Sequence, residues 1–354
     1  MTAPPASALI VRLSSIGDVV HTLPAYMALH EAWPAARLGW AVEPVAAALV
    51  RRLPGSPTVH ELDTQRWRRR WWRSATRREL GGALAALRAP GYEVALDFQG
   101  LIKSAIVARL SGAEVLGLAP ADLREPLARR WYDRAAPPTD PDAHVVFRGL
   151  GLAAAAGAAT AAAPRFPRLF DDEDEARVGA ALRRRDLGRF AVVHAAANWP
   201  SKRWPPARLA TVAAGLYRRA GLPVLWIWGP GEEPEARRLA LVAGEGSAVS
   251  FPTTLPELAA LLSRAALFVG GDSAPLHLAV AQQTPTVGIF GPTSPQRLGP
   301  LRDTDPVAVS RQPCSFCHQR RCPLGTRACL ESLPAEAVLE AALRRLETPA
   351  GRAG

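Results

Sequence analysis

Asp272, Ser273 and His277 lie close together where an apolar run gives way to a helical pattern, in the segment FVGGDSAPLHLAVA. The free N–H groups at the start of a helix attract phosphate, and a hydroxyl and an imidazole at this spacing add two further donors. The segment therefore predicts a diphosphate site. The alternative is an ordinary capped helix with a histidine in the core.

A second segment, RLSSIGDVVHTLP, has Asp18 on the turn between a predicted strand, Leu9 to Leu13, and a predicted helix. It lacks the G-x-G-x-x-G pattern of a dinucleotide-binding turn. Gly17 permits a sharp bend or a close approach to a ligand. Because Asp is a good helix N-cap, we expect Asp18 to cap the first helix.

Apolar runs of β-forming residues alternate with helical patterns along the 354 residues, which is typical of parallel sheets with helices on both sides. Further strands are predicted at Leu38 to Val42 and Val94 to Phe98, and in the second half at FAVVHAA, PVLWIWG, LFVGGD and TPTVGIF. A low-complexity stretch ending at Pro164 predicts a domain boundary. The expected fold class is α/β, with two doubly wound domains, residues 1–164 and 165–354, and a cleft between them.

The balance of charges indicates an anionic partner. Arg greatly outnumbers Lys and the formal net charge is +11, which suits a nucleic acid, a phosphorylated glycan or an acidic membrane surface. No apolar run reaches the roughly 20 residues that span a bilayer. The first apolar stretch has no basic region before it, so no secretory signal is predicted. We expect a cytoplasmic protein.

The densest basic cluster is QRWRRRWWRSATRR, residues 65–78. Interleaved Trp and Arg can stack bases and bind phosphates, so this stretch alone is compatible with a nucleic-acid site. A solvated helix face is the alternative.

All four cysteines fall in one C-terminal segment, as Cys314, Cys317, Cys322 and Cys329. A disulfide framework is not expected in a cytosolic protein, and clustered thiols indicate a structural zinc or a redox-sensitive loop. Their spacing, C-x2-C-x4-C-x6-C, is not a common zinc-finger pattern.

Seven motifs carry a resemblance to a known family: RLSSIGDVVHTLP, DFQGLIKSA, LREPLARRWYD, KRWP, WGPGEE, GGDSAPLHLA and FGPTSP. In this order, between about Leu9 and Leu301, they resemble glycosyltransferase family 9, the ADP-heptose:lipopolysaccharide heptosyltransferases. The first four are most similar to the heptosyltransferase I branch. The resemblance implies a GT-B fold, in which two Rossmann-like domains face each other across a cleft and the C-terminal domain binds the donor.

The resemblance also implies an activity. This is the inverting transfer of heptose from ADP-L-glycero-D-manno-heptose to the Kdo of the lipopolysaccharide inner core, with Asp18 as general base. A carboxylate suits that role because a hydroxyl is a weak nucleophile until its proton is taken up. The implied partners are ADP-heptose, Kdo-lipid A and the cytoplasmic surface of the inner membrane, where the enzyme associates peripherally, with no nucleic acid. No metal is required for catalysis.

Individual site residues follow from the matching motifs. The implied donor-binding residues are Lys202, Glu232, Asp272, Ser273 and His277. The Arg-rich cluster and LREPL supply Arg66, Arg69 and Arg124 for the anionic acceptor, since the planar fork of Arg pairs with carboxylates and phosphates.

The sequence departs from the family pattern in two places. Ala274 replaces a usual Gly, and Ala196 and Ala197 replace common hydroxyl residues, so fewer phosphate donors are expected from the loop that contains Ala196 and Ala197. The alternatives are another family 9 enzyme, such as heptosyltransferase II with a different acceptor, and a non-catalytic nucleotide-sugar or nucleic-acid binding protein. The non-catalytic alternative would leave Asp18 as a cap only.

Overall fold

The computed structural model describes residues 4–159 and 163–348, and its chain divides into two units, Met1–Leu169 and Phe170–Gly354. The sequence placed the domain boundary at Pro164, which lies inside the first unit. Residues 160–162 of the predicted boundary stretch fall outside the described residues. Among those described, no helix is both long and apolar enough to cross a membrane.

The first unit is built on a parallel sheet of six strands in the order β3-β2-β1-β4-β5-β6. The strands are β1 (Ser7–Val11), β2 (Arg37–Val42), β3 (Thr58–Glu61), β4 (Val94–Asp97), β5 (Glu114–Gly117) and β6 (Arg134–Ala135). Every residue of β1 is buried, as expected for a central strand covered on both faces.

Six helices cover this sheet. They are α1 (Ile16–Ala32), α2 (Pro44–Val50), α3 (Thr64–Arg70), α4 (Ser74–Arg88), α5 (Ile102–Leu110) and α6 (Val145–Ala155). Helices α1 and α6 pack against each other. The apolar faces of the central strands form the core, which includes Leu9, Val11, Ala95 and Val115.

The second unit repeats this topology. Its strands are β7 (Ala191–His194), β8 (Val224–Trp226), β9 (Ser247–Val249), β10 (Leu267–Gly271), β11 (Thr286–Phe290) and β12 (Val307–Val309), in the parallel order β12-β11-β10-β7-β8-β9. Its helices are α7 (Asp172–Arg183), α8 (Pro206–Ala220), α9 (Glu233–Ala243), α10 (Leu255–Arg264), α11 (Ala274–Ala281), α12 (Pro295–Leu298), α13 (Ala328–Glu331) and α14 (Ala335–Glu347). A short 3-10 helix, Pro200–Lys202, follows β7.

Both sheets therefore have the doubly wound strand order. Strands are added first on one side of the first strand and then on its other side, so the strand order reverses there. In such sheets ligands bind outside the carboxyl ends of the strands at this reversal. In the first unit the reversal lies between β1 and β4, and Asp18 follows β1. In the second unit it lies between β7 and β10, and Asp272 follows β10.

The prediction that Asp18 is an N-cap is wrong. Ser15 is the N-cap of α1, and Asp18 is the third helical residue, whose Oδ2 accepts hydrogen bonds from the backbone N–H and the hydroxyl of Ser15 at 2.9 and 3.0 Å. The helix begins earlier than predicted because β1 ends at Val11, two residues before the end of the apolar run. Asp18 thus completes a capping box from inside the helix.

Candidate active site

Asp272 is the centre of a buried polar cluster in the second unit. Its Oδ2 accepts hydrogen bonds from Lys202 Nζ and from Thr293 Oγ1, each at 2.7 Å, and its Oδ1 accepts one from His277 Nε2 at 3.0 Å. Burial raises the pKa of Asp272, but the hydrogen bond and charge of His277 and the charge of Lys202 outweigh it and hold the pKa well below its usual range. The carboxylate is therefore ionised and fixed in direction.

A second line of contacts joins the N-cap of α11 to the loop after β8. His194 Nδ1 lies 3.3 Å from Ser273 Oγ, and His194 Nε2 lies 3.2 Å from Glu232 Oε2. The backbone N–H of Gly229 donates to the same Glu232 oxygen at 2.7 Å. The hydrogen bond from His194 lowers the pKa of Glu232, and that from Gly229 lowers it further, against the effect of burial. Glu232 is therefore an oriented, ionised acceptor.

The cysteine segment, residues 314–329, supports the residues on either side of Lys202. Ser201 Oγ donates to the carbonyl oxygens of Gln319 and Arg320, at 2.7 and 3.0 Å. The Arg327 guanidinium donates to the carbonyl of Arg203 at 3.0 Å. The backbone N–H of His318 donates to the Pro292 carbonyl at 2.7 Å, one residue before Thr293. The cysteine segment thus holds the residues beside Lys202 and the residue before Thr293, and both Lys202 and Thr293 contact Asp272.

The four cysteines line one cavity of about 20 Å³, together with Ser201 and Pro292. Burial, and then the charges of the other three thiols, raise the pKa of Cys329, whereas backbone N–H groups led by that of Arg327 lower the pKa of Cys322. Among the described residues, however, no three His, Cys, Asp or Glu side chains are arranged to hold a metal ion. As placed, the thiols do not form a zinc site, and we derive no step through a metal. Structural zinc stays a prediction, for metal analysis of the purified protein to test.

In the first unit, the carboxylate of Asp18 is held from two sides. The Arg12 guanidinium lies 2.8 Å from its Oδ1, while Ser15 donates to its Oδ2. The side chain of Asp18 is 31% exposed, so it remains open to solvent. The protein surroundings raise the pKa of Asp18, but Arg12 and the backbone N–H of Ser15 outweigh this and lower the pKa to about 2. Asp18 is therefore a carboxylate at neutral pH.

A polar network surrounds the turn that carries Asp18. The backbone N–H of Leu13 donates to Gln99 Oε1 at 2.9 Å, and Lys103 Nζ lies 3.4 Å from Ser14 Oγ and 3.1 Å from the buried Glu43. Glu43 also accepts from Thr64 at 2.6 Å, at the start of α3. The turn, α5 and α3 are thus tied together.

Comparison with known proteins identifies the family. The model of glycosyltransferase family 9 (heptosyltransferase) matches residues 83–327. Lipopolysaccharide heptosyltransferase 1 of Pseudomonas aeruginosa is 33% identical over 317 residues, which cover 89% of this chain and 86% of that protein. The chain belongs to glycosyltransferase family 9. Lipopolysaccharide heptosyltransferase 1 of Escherichia coli K12 is 32% identical over 298 residues, 82% of this family 9 chain and 89% of its relative.

Solved structures are similar over almost the whole family 9 chain. The E. coli heptosyltransferase WaaC with ADP has a TM-score of 0.77 at 29% identity and covers 96% of this chain and 99% of its own. WaaC with ADP-2-deoxy-2-fluoro heptose has a TM-score of 0.73 at the same 29% identity and covers 94% and 98%. The E. coli ADP-heptose heptosyltransferase II is 19% identical with a TM-score of 0.74, which shows a shared fold. The GT-B fold expected from the sequence is confirmed.

The structure brings the five predicted donor-binding residues of this family 9 chain into two adjoining groups. Lys202 and His277 contact Asp272, and Ser273 is linked to Glu232 through His194. Of the predicted acceptor-binding residues, Arg69 and Arg124 are exposed. Arg66 is engaged instead with Asp63 at 3.3 Å and with Glu79.

The residues of these sites that were not predicted from the sequence include Arg12, Lys103, His194, Thr293 and Arg297. Burial, followed by the charges of Arg297 and Lys202, lowers the pKa of His318, so Arg297 lies near the Asp272 cluster. Its Nε is buried and has no hydrogen-bond partner among the described residues. A buried donor without a partner is a candidate for a ligand contact.

Replacing Arg12 with Gln should shift the pH dependence of the reaction. As the expected general base, Asp18 would act in its ionised form. Loss of the adjacent guanidinium should raise the pKa of Asp18, so activity should begin to fall at a higher pH on the acid side. We expect a shift of about one pH unit or more. The measurement is kcat/KM against pH, over the range in which circular dichroism shows folded protein.

Arg12→Lys is the control, because it keeps a positive charge beside Asp18 and should restore most of the acid limb. Loss of thermal stability with an unmoved pH profile would show that Arg12 is only structural.

Proposed function

We propose that this chain is an inverting heptosyltransferase that transfers heptose from ADP-L-glycero-D-manno-heptose to the Kdo of the lipopolysaccharide inner core. The observation that carries the proposal is the 33% identity to a lipopolysaccharide heptosyltransferase 1 over 89% of the chain. The likeness to WaaC holding an ADP-heptose analogue, at 29% identity, supports ADP-heptose as the donor.

The second unit would bind the donor. The start of α11 supplies N–H groups and the positive end of its dipole for the diphosphate. Lys202 Nζ donates to Asp272 and lies 4.5 Å from the centre of the Trp199 ring. Because an ammonium has three donors, Lys202 can also donate to a phosphate oxygen. Glu232, with its carboxylate fixed by His194 and Gly229, suits the two vicinal hydroxyls of a ribose. These groups can neutralise departing ADP, so we propose that no divalent metal is required.

The first unit would bind and activate the acceptor. Asp18 accepts the proton of the acceptor hydroxyl as the new glycosidic bond forms, and the bond to the diphosphate oxygen breaks with its electron pair staying on ADP. Attack from the face opposite the leaving group inverts the anomeric centre. Arg69 and Arg124 are exposed and suited to anionic groups of the acceptor. Arg66 would first have to exchange its contacts with Asp63 and Glu79.

We further propose that the enzyme is cytoplasmic and works at the inner-membrane surface, because its acceptor is a lipid. The test is incubation with ADP-heptose and Kdo-lipid A in the presence of a chelator. ADP should be released, the acceptor should gain the mass of one heptose, and the new linkage should have the anomeric configuration opposite to that of the donor.

Four results would contradict the proposal, each in a different way. Equal transfer to lipid A without Kdo would exclude Kdo as the acceptor. Transfer only to an acceptor that already carries heptose would indicate the second heptosyltransferase. ADP binding without transfer to either acceptor would indicate a nucleotide-binding protein, and loss of activity in the chelator would indicate a metal requirement.

A further inference from the structure

Two tryptophans project from the surface of the first unit where α3 ends and α4 begins. Trp71 is 66% exposed and Trp72 is 58% exposed. Trp67, one turn earlier, is buried and donates to Glu79 at 3.2 Å, so it fixes α3 to α4. The fold thus uses one indole of the cluster in its core and leaves the next two in solvent.

The residues next to these tryptophans in the chain are exposed, and several of them are arginines. All residues from 68 to 75 are exposed. Residues 64–78 contain seven arginines and no Asp or Glu. We name Trp71, Trp72, Arg68, Arg70 and Arg73 the Trp–Arg surface. For the three arginines, no ion pair is seen in the part of the chain that the structure describes.

This combination of side chains fits the interface of a lipid bilayer. Indole rings settle at headgroup level because one part is apolar and the N–H is polar. Arginines beside them meet lipid phosphates while their aliphatic stems lie along apolar groups. A protein that bound nucleic-acid bases would more usually place its aromatic side chains in a basic groove. Here they project from an eight-residue exposed stretch.

We propose that the Trp–Arg surface docks the protein on an anionic lipid bilayer, with Trp71 and Trp72 at headgroup level and Arg68, Arg70 and Arg73 on lipid phosphates. The inference rests on the proposed function for its biological setting, since a lipid acceptor brings the enzyme to a membrane. Lipid binding by the Trp–Arg surface can nevertheless be tested independently of the transfer reaction, because vesicle binding requires neither donor nor acceptor.

The experiment is flotation of the full chain with vesicles of phosphatidylcholine alone or mixed with phosphatidylglycerol. The wild type should bind the mixed vesicles and be released by salt, because the arginines act through screened charge. Trp71→Ser with Trp72→Ser should weaken binding by at least about tenfold. Arg68→Gln, Arg70→Gln and Arg73→Gln together should weaken it on the order of 100-fold, about fivefold for each charge.

Matched control variants come from the second unit. Leu241 and Val242 on α9 are 82% and 58% exposed, and their change to Ser removes a comparable exposed apolar pair. Arg183, Arg184 and Arg189 are exposed, and their change to Gln removes the same charge. Both control variants should bind vesicles as the wild type does. In the wild type, brominated lipid should quench tryptophan fluorescence, and the Trp71 and Trp72 variant should lose this quenching.

The proposal is overturned if the wild type does not float with anionic vesicles, or if the control variants lose binding as much as the Trp–Arg variants do. Tight, salt-sensitive binding to a generic oligonucleotide that these variants abolish, without vesicle binding, would assign the surface to nucleic acid. Transfer to a short-chain, water-soluble Kdo acceptor should be unchanged by the Trp71 and Trp72 changes. If that transfer persists while vesicle binding fails, the inference fails and the proposed function stands.

Discussion

Replacing Asp18 with Asn should slow turnover by about 100-fold or more, the usual scale for loss of a general base, while ADP affinity stays nearly unchanged. The amide oxygen can still accept the Ser15 N–H, so the start of α1 should remain formed. Under the proposed mechanism this substitution removes the group that takes the proton, because Asp18, with a pKa of about 2, is ionised at neutral pH. Single-turnover rates and calorimetric ADP titration measure the two effects.

Asp174 offers a matched control for this substitution. It is also the third residue of its helix, accepts from the N-cap backbone of Asp171 at 3.2 Å and pairs with Arg177 at 2.6 Å. Asp174→Asn should therefore also disturb a capping box and an ion pair, at a carboxylate that is more buried than Asp18, and leave turnover unchanged. Near-normal turnover in Asp18→Asn, or equal losses in both variants, would reduce Asp18 to a structural residue.

The fold was predictable where strands lie inside a sheet and are buried on both faces. The runs that contain β1, β2, β4, β7, β8, β10 and β11 were all identified, because their apolar side chains are continuous. The strands that were missed include β3, β6, β9 and β12, which are the edge strands of the two sheets and are only partly buried, so their side chains do not form a continuous apolar run. The structure gives no comparable reason for β5, in which three of four residues are buried. Strand order could not come from periodicity, because it depends on contacts between distant segments.

The site was predictable where its residues follow directly from a strand or helix end, as Asp272 and Ser273 do after β10. Lys103 could have been predicted from the composition, because Lys103 and Lys202 are the only two lysines in a chain rich in arginine. In the structure each of them contacts a buried carboxylate. A compact ammonium is not interchangeable with a planar guanidinium, so a lysine in a chain this rich in arginine is a candidate for a specific contact.

Arg12 and Arg297 had no such signal, because nothing in the sequence separates them from the many surface arginines. Only the contact of Arg12 with Asp18 and the buried Nε of Arg297 distinguish them. The same limit applies to Arg66. The sequence around Arg66 suggests that its guanidinium is free to bind a ligand. In the structure it is paired with Asp63, which precedes α3, and with Glu79 of α4, and these pairs could not be predicted from the sequence.

Replacing Lys202 with Met should reduce turnover by about 100-fold and reduce ADP affinity much less. Negative charge on the diphosphate grows as the bond to the sugar breaks, so an ammonium beside it stabilises the transition state more than the bound donor. By analogy with the loss of one oxyanion donor, the effect is about 3 kcal/mol. Single-turnover rate and ADP affinity are measured on the same preparations, and thermal unfolding checks that both proteins are folded.

Lys202 also neutralises Asp272, so a loss of activity could arise indirectly from an unpaired buried carboxylate. The double variant Lys202→Met with Asp272→Asn separates the two effects, because it removes the cation together with the charge that the cation neutralises. If Lys202 acts on the diphosphate, the double variant should be far slower than Asp272→Asn alone. Equal rates for these two would make Lys202 a partner of Asp272 only. Matching losses of rate and ADP affinity in Lys202→Met would instead mean that Lys202 binds donor and transition state equally.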